Sequence, residues 1–505
     1  MEFKSEIRES QVKQLLEKVQ KKNYDKYLLK ISIEKARGFQ GKSITFDFPV
    51  TAIVGVNGGG KTTVLGAAAC AYKTVKPSLF FAKSGKFDSM QNWKFEYELI
   101  DRQIRKVDII RRIAKFSSSK WSRNWKLEVD KERSVDVFGV SRTVPANERP
   151  ELKKCASNTF DVAPEFIEKI SSVVAKAVAS ILDKDISAFS DLRVDSRGKV
   201  KLLAGQTSGG DSYSEFHFGA GESSIIRMAI QLETIPEYSL VLIEEIENGL
   251  HPVATIRMVE YLIDLATRRK IQVIFTTHSN DALKPLPDQA IWAVAKGSLY
   301  QGKLDIGSLR AISGQIDSQL VVFVEDSFAK TWVEEILRSL PGVAMEAVSV
   351  HAMGGDGRAV EVQRVRQLDP SISQPSVCLI DGDSKKPDSE TSSIYRLPGE
   401  SPEYYIYDKV MEKLDEISGE LAAALCLYEE EATVAEIVRS VRNTNRDEHL
   451  LYSQVGNQLQ SISEERVRQA FISLWVRTFK DEVQAIRQPF LDKIPLQKSQ
   501  PRIAR

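Results

Sequence analysis

Apolar and polar residues alternate in the N-terminal part of the chain and then give way to a mainly apolar run. The alternation covers residues 28–49, and the run covers 50–54. This pattern predicts antiparallel strands that lead into one buried strand. Before them, over residues 5–22, apolar residues recur at helical spacing among charges, which predicts a short amphipathic helix.

A second pattern, of apolar strands alternating with helices, follows the Gly- and Ser-rich residues 205–224. It predicts a helix, a strand, a helix and a strand, over about 222–233, 239–243, 252–268 and 271–276. Such alternation is typical of a parallel sheet covered by helices. Residues 150–185 are rich in helix formers and predict a short helical insertion within this region.

The alternation starts again near residue 318, and beyond 405 the pattern is mainly helical. The predicted fold class is therefore α/β: a P-loop head, a second α/β domain and a helical C-terminal region. The predicted segments are an N-terminal helix at 1–27, a head at 28–310 with its insertion at about 145–200, a second domain at 318–408 and helices at 409–505.

Length, charge and cysteine content limit the kinds of protein that this sequence can be. A length of 505 residues suggests roughly three folding units. The 70 basic and 69 acidic residues leave a net charge of +1, so any contact with nucleic acid has to come from a local patch. The four cysteines show no CxxC spacing, which argues against a zinc site or disulfides. A charged N-terminus and the lack of a long apolar run predict a cytoplasmic protein with no membrane partner.

A nucleotide-binding motif lies where the apolar run at 50–54 gives way to a helix. Residues 55–62, GVNGGGKT, match GxxxxGK[ST]. The glycines let backbone N–H groups converge on phosphates, and the helix N-terminus adds partial positive charge. We expect Lys61 to contact the β- and γ-phosphates of ATP and Thr62 to hold Mg²⁺. The other loop residues predicted to bind the nucleotide are Asn57, Gly58, Gly60 and Thr63.

Two further apolar strands end in polar residues that suit phosphate chemistry. The strand at 239–243 is followed by Glu244, a predicted Mg²⁺ ligand, and Glu245, predicted to orient the attacking water. The strand at 271–276 is followed closely by His278, which can donate to the γ-phosphate. Alone, each is more often a solvated acid or a packed histidine, but together with the P-loop they indicate hydrolysis. The predicted catalytic residues are Glu245, His278 and Lys61.

These motifs together resemble the ABC-type ATPase heads of the structural-maintenance-of-chromosomes, Rad50 and overcoming-lysogenization-defect (OLD) class. The matching segments are RGF at 37–39, the P-loop, FGAGESS at 218–224, LIEEIENGLHP at 242–252 and TTHS at 276–279. The resemblance covers about residues 28–300. It implies that Arg37 lies near the base and that ATP is held between two heads, in a homodimer or higher homo-oligomer. The residues that it assigns to the nucleotide of the opposite head are Gly219, Gly221 and Glu222.

Two strands of the second α/β series also end in acids. These are VVFVED at 321–326 and VCLIDGD at 377–383. If the strands are neighbours in a parallel sheet, Glu325, Asp381 and Asp383 converge at one edge, where they suit Mg²⁺ or Mn²⁺. Two such ions can stabilise the attacking and leaving oxygens of a phosphodiester. The alternative for DGD alone is a solvated turn.

These segments resemble a Toprim domain over about residues 318–408. An ATPase head followed by Toprim is the layout of the OLD-family nucleases, which implies an ATP-regulated, metal-dependent DNA endonuclease in antiviral defence. LPGESPE at 397–403 resembles the family's later acidic segment and adds Glu403 as a predicted metal ligand. Where the family commonly has a second acid, this chain has Ala329. That departure supports an alternative: a regulatory ATPase with an inactive Toprim domain, which controls a separate nuclease as in Septu-type systems with an HNH partner.

A basic and aromatic segment is the other candidate for a nucleic-acid contact. Phe116, Trp121 and Trp125 are interleaved with basic residues, a combination that can neutralise phosphates and stack on bases. The basic residues are Arg102, Arg105, Lys106, Arg111, Arg112, Lys115, Lys120, Arg123 and Lys126. Alternation in a hairpin, with the aromatic rings on the core face, produces the same spacing, and we favour that interpretation.

Overall fold

The chain forms two compact units, Met1–Ile306 and Gly307–Arg505. In this computed structural model the described residues are 7–85, 87–117, 119–125, 132–157, 162–195, 200–207, 209–304, 306–314, 317–460 and 462–497. The division between the units falls within the segment 305–318, where the second α/β pattern begins. Each unit has its own sheet and its own core.

The first unit contains six α-helices and fifteen strands among its described residues. The helices are α1 (Glu9–Gln20), α2 (Lys61–Cys70), α3 (Lys153–Ser157), α4 (Ser172–Leu182), α5 (Ala220–Leu232) and α6 (Pro252–Arg269). The strands are β1 (Lys26–Ala36), β2 (Phe39–Thr45), β3 (Val50–Gly55), β4 (Lys94–Asp101), β5 (Ile110–Ser117), β6 (Lys120–Arg123), β7 (Val135–Phe138), β8 (Ile167–Lys169), β9 (Ser190–Arg193), β10 (Lys201–Gln206), β11 (Ser212–Ser214), β12 (Leu240–Ile243), β13 (Gln272–Thr277), β14 (Ile291–Ala295) and β15 (Ser298–Gln301).

Three sheets organise this unit. The central sheet has the order β15-β14-β3-β13-β12-β7, parallel from β14 to β7. An antiparallel sheet has the order β2-β1-β4-β5-β6, and a smaller one has the order β11-β10-β9-β8. Because β3, β13, β12 and β7 run in the same direction, their carboxyl ends meet at one edge. The residues predicted to act on the nucleotide follow three of these strands, β3, β12 and β13.

The insertion is not mainly helical, which corrects the expectation for residues 145–200. Among the described residues of this range the α-helices are α3 and α4, and β8 and β9 join the small antiparallel sheet. Pro145, Pro150 and Pro164 each begin or precede a short 3-10 turn instead of continuing a helix. Proline removes a helical N–H and clashes with the preceding turn, so the helix formers around it cannot join into one long element.

Helix α2, which begins at the P-loop lysine, is buried on nearly every face. Nine of its ten residues are buried, and small residues at 66–69 let neighbouring segments approach closely. A Cβ on Gly66 would lie 2.6 Å from the Phe80 Cβ. A helix that is apolar all round lies inside a domain. Its N-terminus is therefore fixed firmly beneath the nucleotide-binding motif.

The second unit combines a parallel sheet with a helical bundle. The helix α7 (Ile306–Ser313) lies at the boundary between the units, and the remaining helices are α8 (Ser327–Arg338), α9 (Asp356–Gln367), α10 (Pro402–Glu412), α11 (Leu414–Leu425), α12 (Glu431–Thr444), α13 (Leu451–Gln458), α14 (Glu464–Thr478) and α15 (Lys480–Arg487). The strands are β16 (Leu320–Val324), β17 (Val348–Ala352), β18 (Ser376–Ile380) and β19 (Ile394–Arg396), in the order β17-β16-β18-β19. All neighbouring pairs are parallel.

The core of this unit joins its sheet to the C-terminal helices. Trp332 of α8 packs edge-on against Trp475 of α14, and Tyr407 of α10 stacks on Phe471 of α14. All four side chains are fully buried. The C-terminal helices are therefore part of the same hydrophobic core as the sheet. Within the described part of the chain, no helix has the length and apolar character needed to cross a bilayer.

Candidate functional site

The P-loop connects β3 to α2 through a turn that only glycine fits. Gly60, the residue before α2, has φ +108, and Gly58 has φ +73, both in the region that side chains with a Cβ rarely adopt. A Cβ on Gly60 would also lie 2.6 Å from the Phe39 ring. The turn therefore exposes the first N–H groups of α2 to the space in front of the loop. A helix N-terminus of this kind attracts phosphate.

Lys61 is a largely buried cation that makes no salt bridge with any residue in the described part of the chain. Its Nζ donates to the carbonyl oxygens of Gly55 (2.8 Å) and Val56 (3.1 Å), and it lies 3.4 Å from Nδ1 of His278. Burial lowers the pKa of the ammonium to about 8. Phosphate oxygens would offer it stronger, charge-assisted hydrogen bonds than these neutral carbonyls do.

The predicted acids and histidine lie on neighbouring strand ends. Glu245 follows β12, and its N–H donates to Thr276 Oγ1 at 2.9 Å. The Nε2 of His278, which follows β13, lies 3.8 Å from Glu245 Oε1. Burial, helped by the nearby Lys61 charge, lowers the pKa of His278. A neutral imidazole holds one N–H to donate and one nitrogen to accept, which suits a contact with the γ-phosphate.

Glu247, which the sequence did not single out, ties these strand ends together. One carboxylate oxygen accepts from the main-chain N–H of His278 at 2.5 Å, and the other accepts from Thr277 Oγ1 at 2.8 Å. Its place two residues after Glu245 is visible in the sequence, but its partners belong to another strand. It orients the histidine segment rather than the nucleotide loop.

These residues surround a cavity of about 420 Å³, a size that is ordinary for a small-molecule site. The predicted residues that line it are Arg37, Asn57, Gly58, Gly60, Lys61, Thr62, Thr63, Glu244, Glu245 and His278. Lining residues that belong to the quoted motifs but had no predicted role are Gly38, Phe39, Gly59 and Thr276. Those outside every quoted motif are Val140, Lys296 and Gly297. The Thr62 hydroxyl and the Glu244 carboxylate supply the oxygen ligands that Mg²⁺ prefers. The lining therefore fits a nucleotide with Mg²⁺.

Arg37 stands at the rim of the cavity. Its guanidinium donates to Thr63 Oγ1 (3.1 Å) and to the Phe80 carbonyl (3.3 Å). The neighbouring Gly38 lies against the turn between β14 and β15, where a Cβ on Gly297 would come within 2.1 Å of the Gly38 oxygen. This contact closes the rim opposite the P-loop. A hairpin turn ending in Lys-Gly is visible in the sequence, but its contact with Gly38 is not.

The signature segment lies apart from this cavity. Gly219 precedes α5, and a Cβ on Gly221 would lie 1.9 Å from the Gly249 oxygen. The Glu222 carboxylate accepts from Lys184 Nζ at 2.5 Å. Of the described residues that line the nucleotide cavity, none belongs to this segment. Its contact with the nucleotide of a second copy stays a prediction.

In the second unit, two of the predicted metal ligands meet. The strands β16 and β18 are parallel neighbours, and Glu325 Oε1 accepts from the Asp381 N–H at 2.8 Å. Burial and the surrounding carboxylates raise the pKa of Glu325 to about 7 and that of Asp381 to about 8. Burial also raises the pKa of Glu403, whose Oε1 lies 3.4 Å from His449 Nδ1.

The predicted convergence of Glu325, Asp381 and Asp383 is incomplete. Asp383 is exposed, because the Gly382 turn packs against Gly399 and the Asp383 N–H donates to the Glu400 carbonyl at 2.9 Å. In the described residues, no three Asp, Glu, His or Cys side chains are grouped so as to hold a metal ion.

One orphaned oxygen makes the acid pair suited to a cation. Asp381 Oδ1 is buried and has no hydrogen-bond partner among the described residues. Burial and the charges of Glu325, Asp326, Glu403 and Asp383 all raise the pKa of Asp381. A divalent cation would supply the missing positive charge. The buried Asp381 oxygen beside Glu325 is therefore the feature of this edge that favours a cation.

Ala329 occupies a position where an acid would not reach this pair. Asp326 caps α8, and its Oδ1 accepts from the Ala329 N–H at 2.8 Å. The Ala329 side chain is fully buried in the core of the second unit. A carboxylate there would be surrounded by apolar side chains instead of facing the acids at the strand ends.

The basic and aromatic segment forms a hairpin packed on its own unit. Phe116 and Trp121 pack in a ring cluster with Phe81 and Phe95. Arg112 and Arg123 donate to backbone carbonyls just beyond the end of α2, at Ala71, Tyr72 and Val75. Lys126 lies outside the described residues. These contacts account for Phe116 and Trp121 and for two of the basic residues without nucleic acid.

Comparison with known proteins agrees with the geometry of the cavity. A family model described as an AAA domain, putative AbiEii toxin, Type IV TA system, matches residues 50–283. Residues 50–283 contain an AAA-type P-loop ATPase domain. The matched part of this ATPase includes the P-loop, both strand-end acids and His278. No curated protein matches the chain by sequence.

Among solved structures, the chain is similar to two SMC head domains and to a RecF protein. The SMC head domain from Thermotoga maritima is 13% identical, with a TM-score of 0.36, over 55% of this chain and 99% of the other. The Pyrococcus furiosus Smc head with an extended coiled coil, bound to the C-terminal domain of ScpA, is 13% identical, with a TM-score of 0.36, over 57% and 98%. The recombination mediator protein RecF with ATP is 12% identical, with a TM-score of 0.35, over 55% and 98%.

Proposed function

We propose that the first unit binds ATP with Mg²⁺ and hydrolyses it. The observation that carries this proposal is the single cavity lined by the P-loop, Glu244, Glu245 and His278. Thr62 and Glu244 would hold Mg²⁺, which supplies positive charge to the phosphate oxygens when bound. Lys61 and His278 donate to the γ-phosphate, where negative charge develops during transfer. Glu245 orients the attacking water and accepts its proton.

The active form of this ATPase is a homodimer or higher homo-oligomer of heads. The cavity lacks the signature residues within one chain, and Gly219 and Gly221 lie where α5 presents its N-terminal N–H groups. A second copy that placed this helix N-terminus on the γ-phosphate would complete the site. ATP would then hold two chains together, and hydrolysis would release them.

The second unit is proposed to hold Mg²⁺ or Mn²⁺ at Glu325 and Asp381 and to cleave phosphodiesters in DNA. The orphaned Asp381 oxygen and the raised carboxylate pKa values support cation binding at this edge. Glu403 and Asp383 lie near enough to act on the charge of Asp381. The chain is accordingly proposed to be an ATP-regulated DNA endonuclease that serves antiviral defence.

A second candidate function is that of a regulatory ATPase whose second unit is catalytically inert. The exposed Asp383 favours it, because it leaves Glu325 and Asp381 where two-metal cleavage needs more ligands. In this case the chain assembles with a separate nuclease and ATP controls that nuclease.

Cleavage assays separate these candidates. The purified chain would be incubated with plasmid and linear DNA, with ATP, and with Mg²⁺ or Mn²⁺. The endonuclease predicts cleavage that Asp381→Asn abolishes and that the matched control Glu390→Gln, an exposed acid beyond the same turn, retains. Cleavage that persists in Asp381→Asn would exclude the assigned site. A chain that hydrolyses ATP and cleaves only with the product of a neighbouring nuclease gene would establish the regulatory function.

A further inference from the structure

The segment that follows the edge strand β7 runs beside the acids of the nucleotide cavity. β7 and β12 are parallel, and the Glu244 N–H donates to the Phe138 carbonyl at 2.9 Å, which extends the pairing past the end of β12. The chain then forms a short 3-10 helix, Val140–Thr143. Val140 lines the nucleotide cavity, whereas Arg142 is not among the described residues that line it.

Arg142 binds the backbone of both strand-end acids. Its Nη1 donates to the Glu244 carbonyl at 2.6 Å and its Nη2 donates to the Glu245 carbonyl at 2.7 Å. Nη1 also donates to the Gly139 carbonyl at 3.1 Å, within its own turn. A planar guanidinium presents two separate donor nitrogens, Nη1 and Nη2, to two adjacent carbonyls in a fixed geometry, whereas a lysine offers both carbonyls a single nitrogen. Arg142 thus contacts the acids through their main chain and leaves their carboxylates free.

The backbone that Arg142 holds is strained. Glu245 has φ +45, in the left-handed region that a residue with a Cβ rarely occupies. Its N–H is held by Thr276 Oγ1 at 2.9 Å, and its carbonyl is held by Arg142. Such a conformation persists only where surrounding contacts determine it from several sides. The direction of the Glu245 carboxylate depends on this conformation.

The same turn also reaches the segment beside the signature. Thr143 Oγ1 accepts from Asn248 Nδ2 at 3.0 Å. The next residue, Gly249, lies against Thr143 on one side and Gly221 on the other. The 3-10 helix that carries Arg142 therefore links the acids of one nucleotide cavity to the α5 segment of the same chain.

We infer that Arg142 is a positioning residue for ATP hydrolysis, which holds the left-handed Glu245 main chain so that the Glu245 carboxylate faces the attacking water. The inference rests on the ATPase activity proposed above. It adds a residue that touches neither nucleotide nor water. Removal of Arg142 would leave ATP binding intact and slow the chemical step.

The test compares turnover and nucleotide affinity in full-length variants. Arg142→Ala is expected to lower kcat roughly 100-fold, because misplacing a catalytic group by about 1 Å has an effect of that size. The affinity for a non-hydrolysable ATP analogue is expected to stay near the wild-type value. Arg142→Lys is expected to recover only part of kcat, since it keeps the charge but offers one donor nitrogen in place of two that are held in one plane. Ser141→Ala, at the exposed neighbouring position, is the matched control and is expected to keep wild-type turnover.

A double variant distinguishes positioning from general loss of structure. If Arg142 acts through Glu245, then Arg142→Ala in a Glu245→Gln background is expected to lower kcat by no more than about 2-fold further, since residues that act as a unit are not additive. A full further loss in that background would overturn the inference, and so would unchanged kcat in the single variant. If Arg142→Ala does not bind the analogue, the same cycle is run with Arg142→Lys. A wild-type chain that binds ATP but never hydrolyses it would refute the proposed ATPase instead.

Discussion

The nucleotide cavity and the acid pair of the second unit occupy the same kind of position in a parallel sheet, but their buried groups carry opposite charges. Both lie at the carboxyl edge of parallel strands, where consecutive strand ends bring polar side chains together. In the cavity, the buried Lys61 stands near Glu245 and Glu247, which act on its charge. In the second unit, Glu325 and Asp381 are surrounded mainly by other acids.

This difference in charge indicates which kind of ligand each site favours. Burial lowers the pKa of Lys61 to about 8, so an anion beside the ammonium would stabilise its charged form. Burial raises the pKa of Glu325 to about 7 and that of Asp381 to about 8, so a cation beside the carboxylates would stabilise their charged forms. The two sites are therefore complementary to phosphate and to metal, respectively.

The largest expected effect is on hydrolysis in the cavity, in Glu245→Gln. The amide keeps the size of the side chain but cannot accept the proton of water, and general bases contribute about 10²- to 10⁴-fold to rate. We expect turnover to fall by that range while ATP still binds, so that ATP-bound dimers accumulate. Turnover and size-exclusion chromatography with ATP measure both outcomes. Glu237→Gln, an exposed acid, is the control, and wild-type turnover in Glu245→Gln would refute the role of this acid.

Lys61→Ala tests the anion side of the comparison. Loss of one donor to a developing charge lowers turnover by about 10²- to 10³-fold, and the lost phosphate contact should weaken ATP binding as well. Nucleotide titration and turnover assays give both values. Lys270→Ala, which removes a partly exposed lysine, should behave as wild type. Undiminished ATP affinity in Lys61→Ala would contradict the P-loop assignment.

The pH dependence of stability tests the cation side. The pKa values of the Glu325 and Asp381 carboxyl groups are raised, mainly by burial, above their ordinary values of 4.5 and 3.8. Between about pH 4 and pH 8 the folded chain therefore holds more protons at these groups than the unfolded chain does. Their contribution to the free energy of unfolding consequently falls as pH rises through this window. Calorimetry should show Mg²⁺ or Mn²⁺ restoring stability at pH 8 and having less effect at pH 5.5.

The double variant Glu325→Gln with Asp381→Asn is the control for this dependence. It should lose both the added pH dependence and the stabilisation by cations, because no group remains to titrate or to bind the ion. Equal stabilisation of this variant and the wild type by cations would place the ion elsewhere.

The smallest expected effect is a gain in stability in the single variant Asp381→Asn. Without a cation at pH 8, the amide removes a buried charge that lies among other acids. We expect the melting temperature of the affected transition to rise by a few degrees. Glu390→Gln should leave it unchanged, and a lower melting temperature in Asp381→Asn would show that its carboxylate is already stabilised.

Most elements of the α/β pattern were predictable from sequence, because each is determined by local periodicity. The structure has β12 at Leu240–Ile243 and α6 at Pro252–Arg269, within a residue or so of the predicted 239–243 and 252–268. The insertion was predicted less well, since β8 and β9 are short and are stabilised by pairing with each other and with β10. Pairing of this kind overrides local propensity.

In the candidate sites too, local sequence predicted some residues, whereas residues that depend on distant partners were missed. The positions of Lys61, Glu245 and His278 at strand ends could be read from motif spacing, and the cavity contains all three. Glu247 and Val140 were missed because their roles depend on partners in other strands. The exposure of Asp383 was missed for the same reason.

The sequence by itself determined the order of strands and helices and the polar residues that end them, because hydrophobic periodicity and glycine spacing act over a few neighbouring residues. Only the tertiary structure decided which of these residues meet. Arg142 reaches the carbonyls of Glu244 and Glu245, more than 100 positions away, and main-chain carbonyls are the same at every residue. A contact of that kind leaves no side-chain pattern in the sequence, so it becomes visible only when parallel strands bring the two segments side by side.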